Sequence, residues 1–241
     1  MAGHSKWANI KHRKGAQDKK RGKIFTKIIK EITISAKLFG GEIESNPRLR
    51  KAVNNAKSNN MPNDNIERAI KKGTGDLPGV KYEEMLYEGY GPYGVAVMIE
   101  TITDNKNRTV AEIRNIFSKF GGSLGENGSV SWLFEKKGNI ILVDENNNSF
   151  DTIFDYAAMV GAEDVDFYDD EYIIKTHYET LQEISEAFQN NGYIVKSADY
   201  EMYPTSYQEV KKEKATKLIE LLETLDNNDD ICRLHSNLEI I

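Results

Sequence analysis

The sequence has few of the features that mark secreted or membrane proteins. It contains one cysteine, Cys232, among 241 residues, so no internal disulfide can form, and a reducing cytoplasm is the expected location. No segment approaches the ~18 consecutive apolar residues of a membrane span. No apolar stretch follows the Lys-rich start, which therefore does not resemble a secretory signal or an Arg- and Ser-rich transit peptide. The composition, with 39% hydrophobic and 29% charged residues, is typical of a globular protein.

The usual catalytic signatures are also missing. There is no GxxxxGK[ST] phosphate loop, no HExxH and no paired-cysteine zinc spacing. Cys232 and His235 lie three residues apart in a predicted strand, which places their side chains on opposite faces. GYGPYG (89–94) is not followed by a helix and is interpreted as a hairpin turn, and GGSLGENGS (121–129) as a connecting loop. We therefore expect no cofactor, no metal and no enzymatic activity. An enzyme that uses these two loops remains a rival hypothesis.

What the chain has in excess is positive charge at one end. Residues 1–27 contain nine Lys or Arg and one acid, Asp18, although the whole protein has a formal net charge of −6. Residues 1–72 carry 18 basic and 6 acidic residues, a net charge of +12, whereas residues 73–241 carry 14 basic and 32 acidic residues, a net charge of −18. Such asymmetry is typical of a protein whose basic part binds a polyanion. The alternative is that the two parts attract each other.

The first 21 residues lack a hydrophobic period and are expected to form a basic arm. Lys and Arg that contact phosphates release counterions, so nucleic acid is the natural partner of such an arm. Trp7 either docks on the helices that follow or stacks on an exposed base. The basic surface is expected to continue beyond the arm through Lys27, Lys30, Arg48, Arg50, Lys51, Lys57, Arg68, Lys71 and Lys72. The competing interpretation of the arm is a solvated tail, and a protein-interaction scaffold is a further rival for the whole chain.

Hydrophobic periodicity predicts three short helices after the arm. Ile24, Ile28 and Ile32 share one face of a helix that ends at Gly40-Gly41. Asn46-Pro47 starts a second helix, with Asn as the cap and Pro at the first helical position. Asn63 or Asp64 caps a third helix, which ends at Gly73. Together these helices predict a small bundle.

Two α+β units are expected after residue 80. YEEMLYEGY (82–90) and VAVMIETIT (95–103) form a hairpin, followed by a helix over 107–120 and a strand at SVSWLF (129–134), with Trp132 in the core. The segment 139–202 has the order βαββαβ, which is a complete ferredoxin-like unit. A helix over 206–225 and a strand over 231–240 then complete the preceding unit. The expected fold is α+β with three domains: residues 1–79 (basic arm and helical bundle), 80–136 plus 204–241 (a discontinuous ferredoxin-like domain) and 137–203 (an inserted one).

Four segments resemble the YebC/PmpR family. They are MAGHSKWANIKHRKGAQDKKRGKIFTK (1–27), NPRLRKAVNNAKSNNMPNDNIERAIKKGTG (46–75), YEGYGPYGVAVMIETITDNKNRT (87–109) and FGGSLGENGSVSWLF (120–134). The resemblance is dense over residues 1–135 and looser beyond. It implies a three-domain protein with a helical N-terminal bundle and two α+β domains. Gly15 stands where relatives usually have Ala, and the tail DDICRLHSNLEI (229–240) keeps the acidic turn and Asn237 but differs in between.

The resemblance also implies a function that is not enzymatic. The family has been described as DNA-binding transcriptional regulators, and also as translation factors that help the ribosome through difficult sequences such as proline runs. We therefore expect a cytoplasmic, nucleic-acid-binding regulator of gene expression whose target is DNA or ribosomal RNA. The resemblance alone draws attention to Arg108 and to the loops at 91–94 and 121–129. The arm residues that it carries over are His4, Lys6, Trp7, Lys11, His12, Arg13, Lys14, Lys19, Lys20, Arg21 and Lys23, to which the charge pattern adds Lys27, Arg48, Arg50 and Lys51.

Overall fold

The computed structural model describes residues 17–143, 149–168 and 171–241, with side chains from Gly22 onward. The chain is α+β, with a helical N-terminal region followed by two sheet-containing domains. The helices are α1 (Gln17–Phe39), α2 (Pro47–Ser58), α3 (Asn63–Thr74), α4 (Lys106–Phe120), α5 (Phe150–Met159), α6 (Leu181–Asn190) and α7 (Lys212–Asp226). The strands are β1 (Glu83–Tyr90), β2 (Ala96–Thr103), β3 (Ser123–Leu124), β4 (Phe134–Val143), β5 (Asp164–Tyr168), β6 (Glu171–His177), β7 (Ile194–Pro204), β8 (Gln208–Val210), β9 (Ile231–Ser236) and β10 (Leu238–Ile240).

The chain divides into two compact units. The first contains the described residues up to Trp132 together with Ser206–Ile241, and the second contains Leu133–Thr205. The second unit therefore interrupts the sequence of the first. The finer division proposed from the sequence, with a separate domain over residues 1–79, stays a prediction.

The three N-terminal helices pack around one apolar core. Ile28, Ile32 and Ala36 of α1 are buried against Leu49 and Val53 of α2, together with Ala52, Ala56, Met61, Ile66 and Ala69. This stripe follows the helical period seen in the sequence.

The connection between α1 and α2 is fixed by the Asn46 side chain. Its Oδ1 accepts the Leu49 N–H at 3.0 Å, which caps α2, and its Nδ2 donates to the carbonyls of Ser35 and Gly40 at 3.0 and 2.7 Å. Pro47 occupies the first helical position, as predicted. A single amide thus satisfies backbone groups at both helix ends.

The sheet of the first unit has the strand order β3-β1-β2-β9. β1 and β2 form the expected hairpin, with Tyr90 opposite Ala96, and β9 pairs antiparallel with β2. Ile113 and Phe117 of α4 and Leu218 and Leu222 of α7 pack in one core with Val97 and Ile99 of β2. The strand expected over 231–240 is broken at Asn237, whose Oδ1 accepts the Ala96 N–H at 2.8 Å, and β10 then pairs with β8.

The second unit has the predicted βαββαβ order, β4-α5-β5-β6-α6-β7. Its antiparallel sheet has the strand order β5-β6-β4-β7, which is the ferredoxin-like arrangement. Ile140, Leu142 and Ile174 of the sheet are fully buried with Ile184 and Phe188 of α6. The fold class expected from the sequence is confirmed.

Several local expectations were wrong. The helix expected over 206–225 begins only at Lys212, because Gln208–Val210 form β8. SVSWLF does not form the expected strand: residues 131–133 form a 3₁₀ turn, and β4 begins only at the last residue of this segment, Phe134. Trp132 is not in the core but 69% exposed. The third helix extends past Gly73 to Thr74, because Gly75 supplies the left-handed C-terminal residue at φ 90°, and neither Asn63 nor Asp64 is its N-cap.

Candidate nucleic-acid interface

The expected binding residues fall into three groups. His4, Lys6, Trp7, Lys11, His12, Arg13 and Lys14 lie outside the described residues. Lys19, Lys20 and Arg21 belong to α1, and their side chains lie outside the described part. Lys23, Lys27, Arg48, Arg50 and Lys51 are described with their side chains, and their partners can be stated.

Lys23 and Lys27 contact the C-terminal end of α7. The Nζ of Lys23 donates to the Asn227 carbonyl at 2.7 Å, and the Nζ of Lys27 donates to the Asp226 carbonyl at 2.7 Å, with the Asp226 carboxylate 3.9 Å away. Carbonyls at a helix C-terminus carry partial negative charge and favour cations. Part of the basic charge is therefore directed at the acidic part of the same chain, as the alternative interpretation of the charge asymmetry anticipated.

The next lysine along the same face, Lys30, is buried instead of exposed. Its Nζ donates to the carboxylate of Asp230 at 2.5 Å and to the Asp229 carbonyl at 2.9 Å. Only 8% of the Lys30 side chain and 5% of the Asp230 side chain are exposed. The expectation that Lys30 belongs to the basic surface was wrong, because this pair belongs to the interior of the first unit.

The Asp230 carboxylate accepts hydrogen bonds from four side chains. Besides Lys30, its carboxylate accepts the Thr109 hydroxyl at 2.7 Å, an Arg108 N–H at 3.0 Å and the Thr103 hydroxyl at 3.2 Å. Burial acts to raise the pKa of Asp230, but the hydrogen bonds from Lys30, Thr109 and Arg108 outweigh it and lower the pKa to about 2. The carboxylate is thus ionised at neutral pH and joins α1, β2, α4 and the turn before β9.

Arg48 is also engaged within the chain. Its Nε and one terminal nitrogen donate to the Glu31 carboxylate at 2.7 and 3.1 Å, and that nitrogen also contacts the Glu84 carboxylate at 2.5 Å. Arg50 donates to the Glu44 carbonyl at 2.9 Å, and Lys51 is half-buried. Arg48 therefore fixes α2 to α1 and to the start of β1, and its charge is shared with two carboxylates.

Four other basic residues of α2 and α3 are exposed: Lys57, Arg68, Lys71 and Lys72. We call them the bundle surface. Over the stretches of chain that the structure describes, none of the four has a carboxylate within ion-pair distance. Because their charges are not neutralised internally, these residues are better placed to meet phosphates than Lys27 or Arg48.

Comparison with known proteins assigns the family. One family model, described as the TACO1/YebC protein N-terminal domain, matches residues 5–76, and another, described as the TACO1/YebC second and third domain, matches residues 82–238. The chain belongs to the TACO1/YebC family. The first match covers the arm and bundle, and the second covers both sheet-containing domains.

Several relatives resemble the chain over its whole length. Proteins named "Probable transcriptional regulatory protein" from Syntrophotalea carbinolica and Persephonella marina are 52% and 51% identical over 240 and 242 residues, covering 100% of this chain and 96% of each relative. The crystal structure of the conserved hypothetical protein Aq1575 from Aquifex aeolicus matches with a TM-score of 0.87 and 45% identity, covering 98% of both chains. The TACO1/YebC assignment and the fold therefore agree.

Two sets of contacts in this TACO1/YebC chain were not found from its sequence. Arg108, which the resemblance singled out, forms ion pairs with Asp104 at 2.7 Å and Asp230 at 3.0 Å. Glu88 was missed: its buried carboxylate accepts the N–H groups of Gly128, Val130 and Ser131 at 2.7–2.8 Å and so fixes the end of the loop over 121–129 and the residues that follow it. Its position in an alternating strand of YEEMLYEGY carries no signal of that role, because the donors lie about 40 residues away.

The structure shows the surroundings of Cys232 and His235, the two residues considered for nucleophilic chemistry. Burial raises the pKa of the Cys232 thiol to about 11, which disfavours a nucleophilic thiolate. The Nε2 of His235, three residues further along the chain, lies 3.1 Å from the Glu100 carboxylate. No group of three His, Cys, Asp or Glu side chains in the described segments is arranged to hold a metal ion. Among the helices described, none has the length and apolar character needed to cross a bilayer.

Proposed function

We propose that this protein is a non-enzymatic, cytoplasmic regulator of gene expression that binds nucleic acid through its basic arm and bundle, acting on duplex DNA in transcription. The observation that carries the proposal is the charge segregation: residues 1–72 have a net charge of +12 within a chain of net charge −6. Phosphate contacts by Lys and Arg supply the sequence-independent part of nucleic-acid affinity. The names of the TACO1/YebC relatives support a regulatory role.

The contacts that the expected residues make within the chain predict which of them contribute most to nucleic-acid affinity. Lys23, Lys27 and Arg48 already have partners in the chain, so each must exchange a protein contact for a phosphate contact. In the described part of the chain, the four residues of the bundle surface have no ion pair to give up. We therefore expect Lys71 and Lys72 to contribute more to affinity than Lys27 or Arg48.

One structural observation supports binding to DNA. α2 and α3 are joined by residues 59–62, a link as short as those of helix-turn-helix units, and Asn60 takes a left-handed conformation at φ 57° within it. In such units the second helix enters the major groove, where each good bidentate pair with a base is worth about 1–3 kcal/mol of discrimination. The sequence alone did not reveal this link.

A second candidate function is a ribosome-associated translation factor that binds ribosomal RNA. The observation that favours it is the exposed face of α3, where Asp64 and Glu67 precede Arg68. Carboxylates at the start of a reading helix would face the phosphates that line a groove, which is unfavourable. Ribosomal RNA requires only phosphate contacts and shape recognition, for which Arg68, Lys71 and Lys72 suffice.

The test is crosslinking of the tagged protein in growing cells, followed by sequencing of the attached nucleic acid. Recovery of promoter DNA supports the transcriptional role. Recovery of ribosomal RNA at a few discrete positions, with DNA at background, refutes it in favour of the second candidate. Failure to recover either nucleic acid above the level of an untagged control refutes both.

A salt titration of the purified protein tests the assignment of residues. If about six phosphate contacts form on duplex DNA, log K falls against log salt with a slope of about −5. Lys71→Gln with Lys72→Gln is expected to reduce that slope by about 2, because two contacts are lost. Lys81→Gln with Arg114→Gln is the matched control, since both residues are exposed and outside the bundle surface. Equal slopes for the two double variants contradict the assignment.

A further inference from the structure

A second cluster of lysines lies far from the arm in sequence. Residues 211–217, KKEKATK, contain four of the 14 basic residues found in residues 73–241. All four lysines are exposed at the start of α7, and in the described parts of the chain none has a carboxylate within ion-pair distance. Cations are disfavoured at a helix N-terminus, which carries partial positive charge. Lys211 and Lys212 therefore gain nothing from the helix dipole, which favours the one acidic residue of the first turn, Glu213.

An exposed tyrosine lies beside this cluster. Tyr93, in the 3₁₀ turn Pro92–Gly94, is 51% exposed and adopts φ 63° and ψ 17°. A left-handed conformation is unfavourable for a bulky L-residue and is more often taken by Gly or Asn. The Lys214 Nζ lies 5.9 Å from the centre of the Tyr93 ring. The Tyr93 side chain is therefore exposed to solvent beside a cation, although its backbone conformation is unfavourable for tyrosine.

The surroundings leave the Tyr93 ring accessible. A Cβ added to Gly91 would lie 2.8 Å from Leu218 Cδ1, so the turn packs directly on α7, and one added to Gly94 would meet nothing within 4 Å. A Cβ added to Gly121 would lie 3.5 Å from Lys217 Nζ. Gly91 and Gly94, close to Tyr93 in the chain, have no side chains that could cover its ring, and the end of α4 at Gly121 lies close to Lys217.

We infer that Tyr93, Lys214 and Lys217 form a binding surface for an unpaired nucleotide of a single-stranded nucleic-acid segment, with the base on the tyrosine ring and the flanking phosphates on the lysines. Stacking on an aromatic side chain requires a base with a free face, which excludes a base inside an intact duplex. The two ammonium groups supply phosphate contacts that do not depend on sequence. The inference rests on the proposed function in that the ligand is nucleic acid, and adds a second contact outside the arm and bundle.

The test compares a single-stranded 12-nucleotide RNA containing 2-aminopurine with a duplex of the same length, both binding to the full-length protein. Tyr93→Gly keeps a residue suited to the left-handed turn and is expected to weaken single-strand binding about tenfold. It is also expected to abolish quenching of 2-aminopurine, and to leave duplex binding unchanged. Tyr93→Trp is expected to retain both affinity and quenching. The matched control is Tyr207→Ala, at another exposed tyrosine outside this surface.

The lysines are tested by Lys214→Gln with Lys217→Gln. Loss of two phosphate contacts is expected to reduce the salt slope on the single strand by about 1.4. Unchanged single-strand affinity and quenching in Tyr93→Gly, while the protein still binds duplex, overturns this inference and leaves the proposed function intact. Absence of binding to every nucleic acid by the unaltered protein overturns both. Tyr93→Asn, which also tolerates the left-handed turn, provides a second variant if the glycine variant does not fold.

Discussion

Replacing Asp230 by Asn tests the argument that this carboxylate joins the helical bundle to the sheet of the first compact unit. The amide keeps nearly the same shape but removes the negative charge that faces Lys30 at 2.5 Å and Arg108 at 3.0 Å. Lys30 is then left buried without a counter-charge, since 8% of its side chain is exposed. We expect Asp230→Asn to destabilise the first unit.

Two independent magnitudes set the size of the effect. Removing one partner of a buried ion pair costs about 3–5 kcal/mol. The pKa of Asp230, lowered from 3.8 to about 2, corresponds to about 2.5 kcal/mol of differential stabilisation of the charged form. We therefore expect the free energy of unfolding at pH 7 to fall by about 3 kcal/mol, measured by urea unfolding with circular dichroism.

The pH dependence provides a second check with a definite sign. Because folding lowers the pKa of Asp230, its contribution to stability is complete above the unfolded pKa of 3.8 and is lost as the pH falls through about 2. The difference in stability between the natural protein and Asp230→Asn is therefore expected to be constant from pH 7 to pH 5. It should shrink between about pH 4 and pH 2.

The matched control is Asp229→Asn, at the adjacent exposed position. Lys30 contacts the carbonyl of Asp229 and not its carboxylate, so we expect a change below about 0.5 kcal/mol. Lys30→Met combined with Asp230→Asn is expected to cost less than the sum of the single changes, because the unpaired charge is removed. A loss below 1 kcal/mol for Asp230→Asn, or a difference that persists unchanged to pH 2, would refute the reasoning.

Further predictions concern a loop and two helical glycines. Glu88→Gln is expected to lower the free energy of unfolding by about 2 kcal/mol and to speed hydrogen exchange over residues 125–131, because three N–H groups lose a charged acceptor. Glu126→Gln, at an exposed position, is the control. Equal exchange rates in the two variants would contradict this role of Glu88. Gly22→Ala is expected to stabilise by up to about 1 kcal/mol, since its Cβ would meet nothing within 4 Å. Gly73→Ala is expected to destabilise by about 2 kcal/mol, because its Cβ would lie 2.4 Å from the Thr33 carbonyl oxygen. Thermal unfolding of the two glycine variants should show shifts of opposite sign, and shifts of the same sign would refute this account.

The success of the sequence-based predictions depended on whether the signal was local. The Asn46 cap and the β1–β2 hairpin were correct because each is encoded by neighbouring residues. The strand expected at SVSWLF was wrong, because six residues of alternating polarity are equally compatible with a 3₁₀ turn that leads into β4. Trp132 was assigned to the core on its residue type, and in the structure its Nε1 donates to the Ser129 carbonyl at the surface.

The candidate interface was less predictable than the fold. Charge density identified the N-terminal part but did not separate the bundle surface from Lys30, which is buried, or from Arg48, which is paired. The acceptors of those two residues lie elsewhere in the sequence, Asp230 being 200 residues from Lys30. No local pattern in the chain specifies such a pairing.

The sequence by itself determined the element order, the fold class and the separation of charge, because these follow from hydrophobic period, caps and composition over short windows. Only the tertiary structure decided which charges are free. Lys23 and Lys27 donate to backbone carbonyls at the end of α7 and Lys30 pairs with Asp230, while Lys214 and Lys217 stay exposed, Lys214 beside Tyr93. The physical reason is that an ion pair depends on distance in space, and folding brings together residues that the sequence keeps far apart.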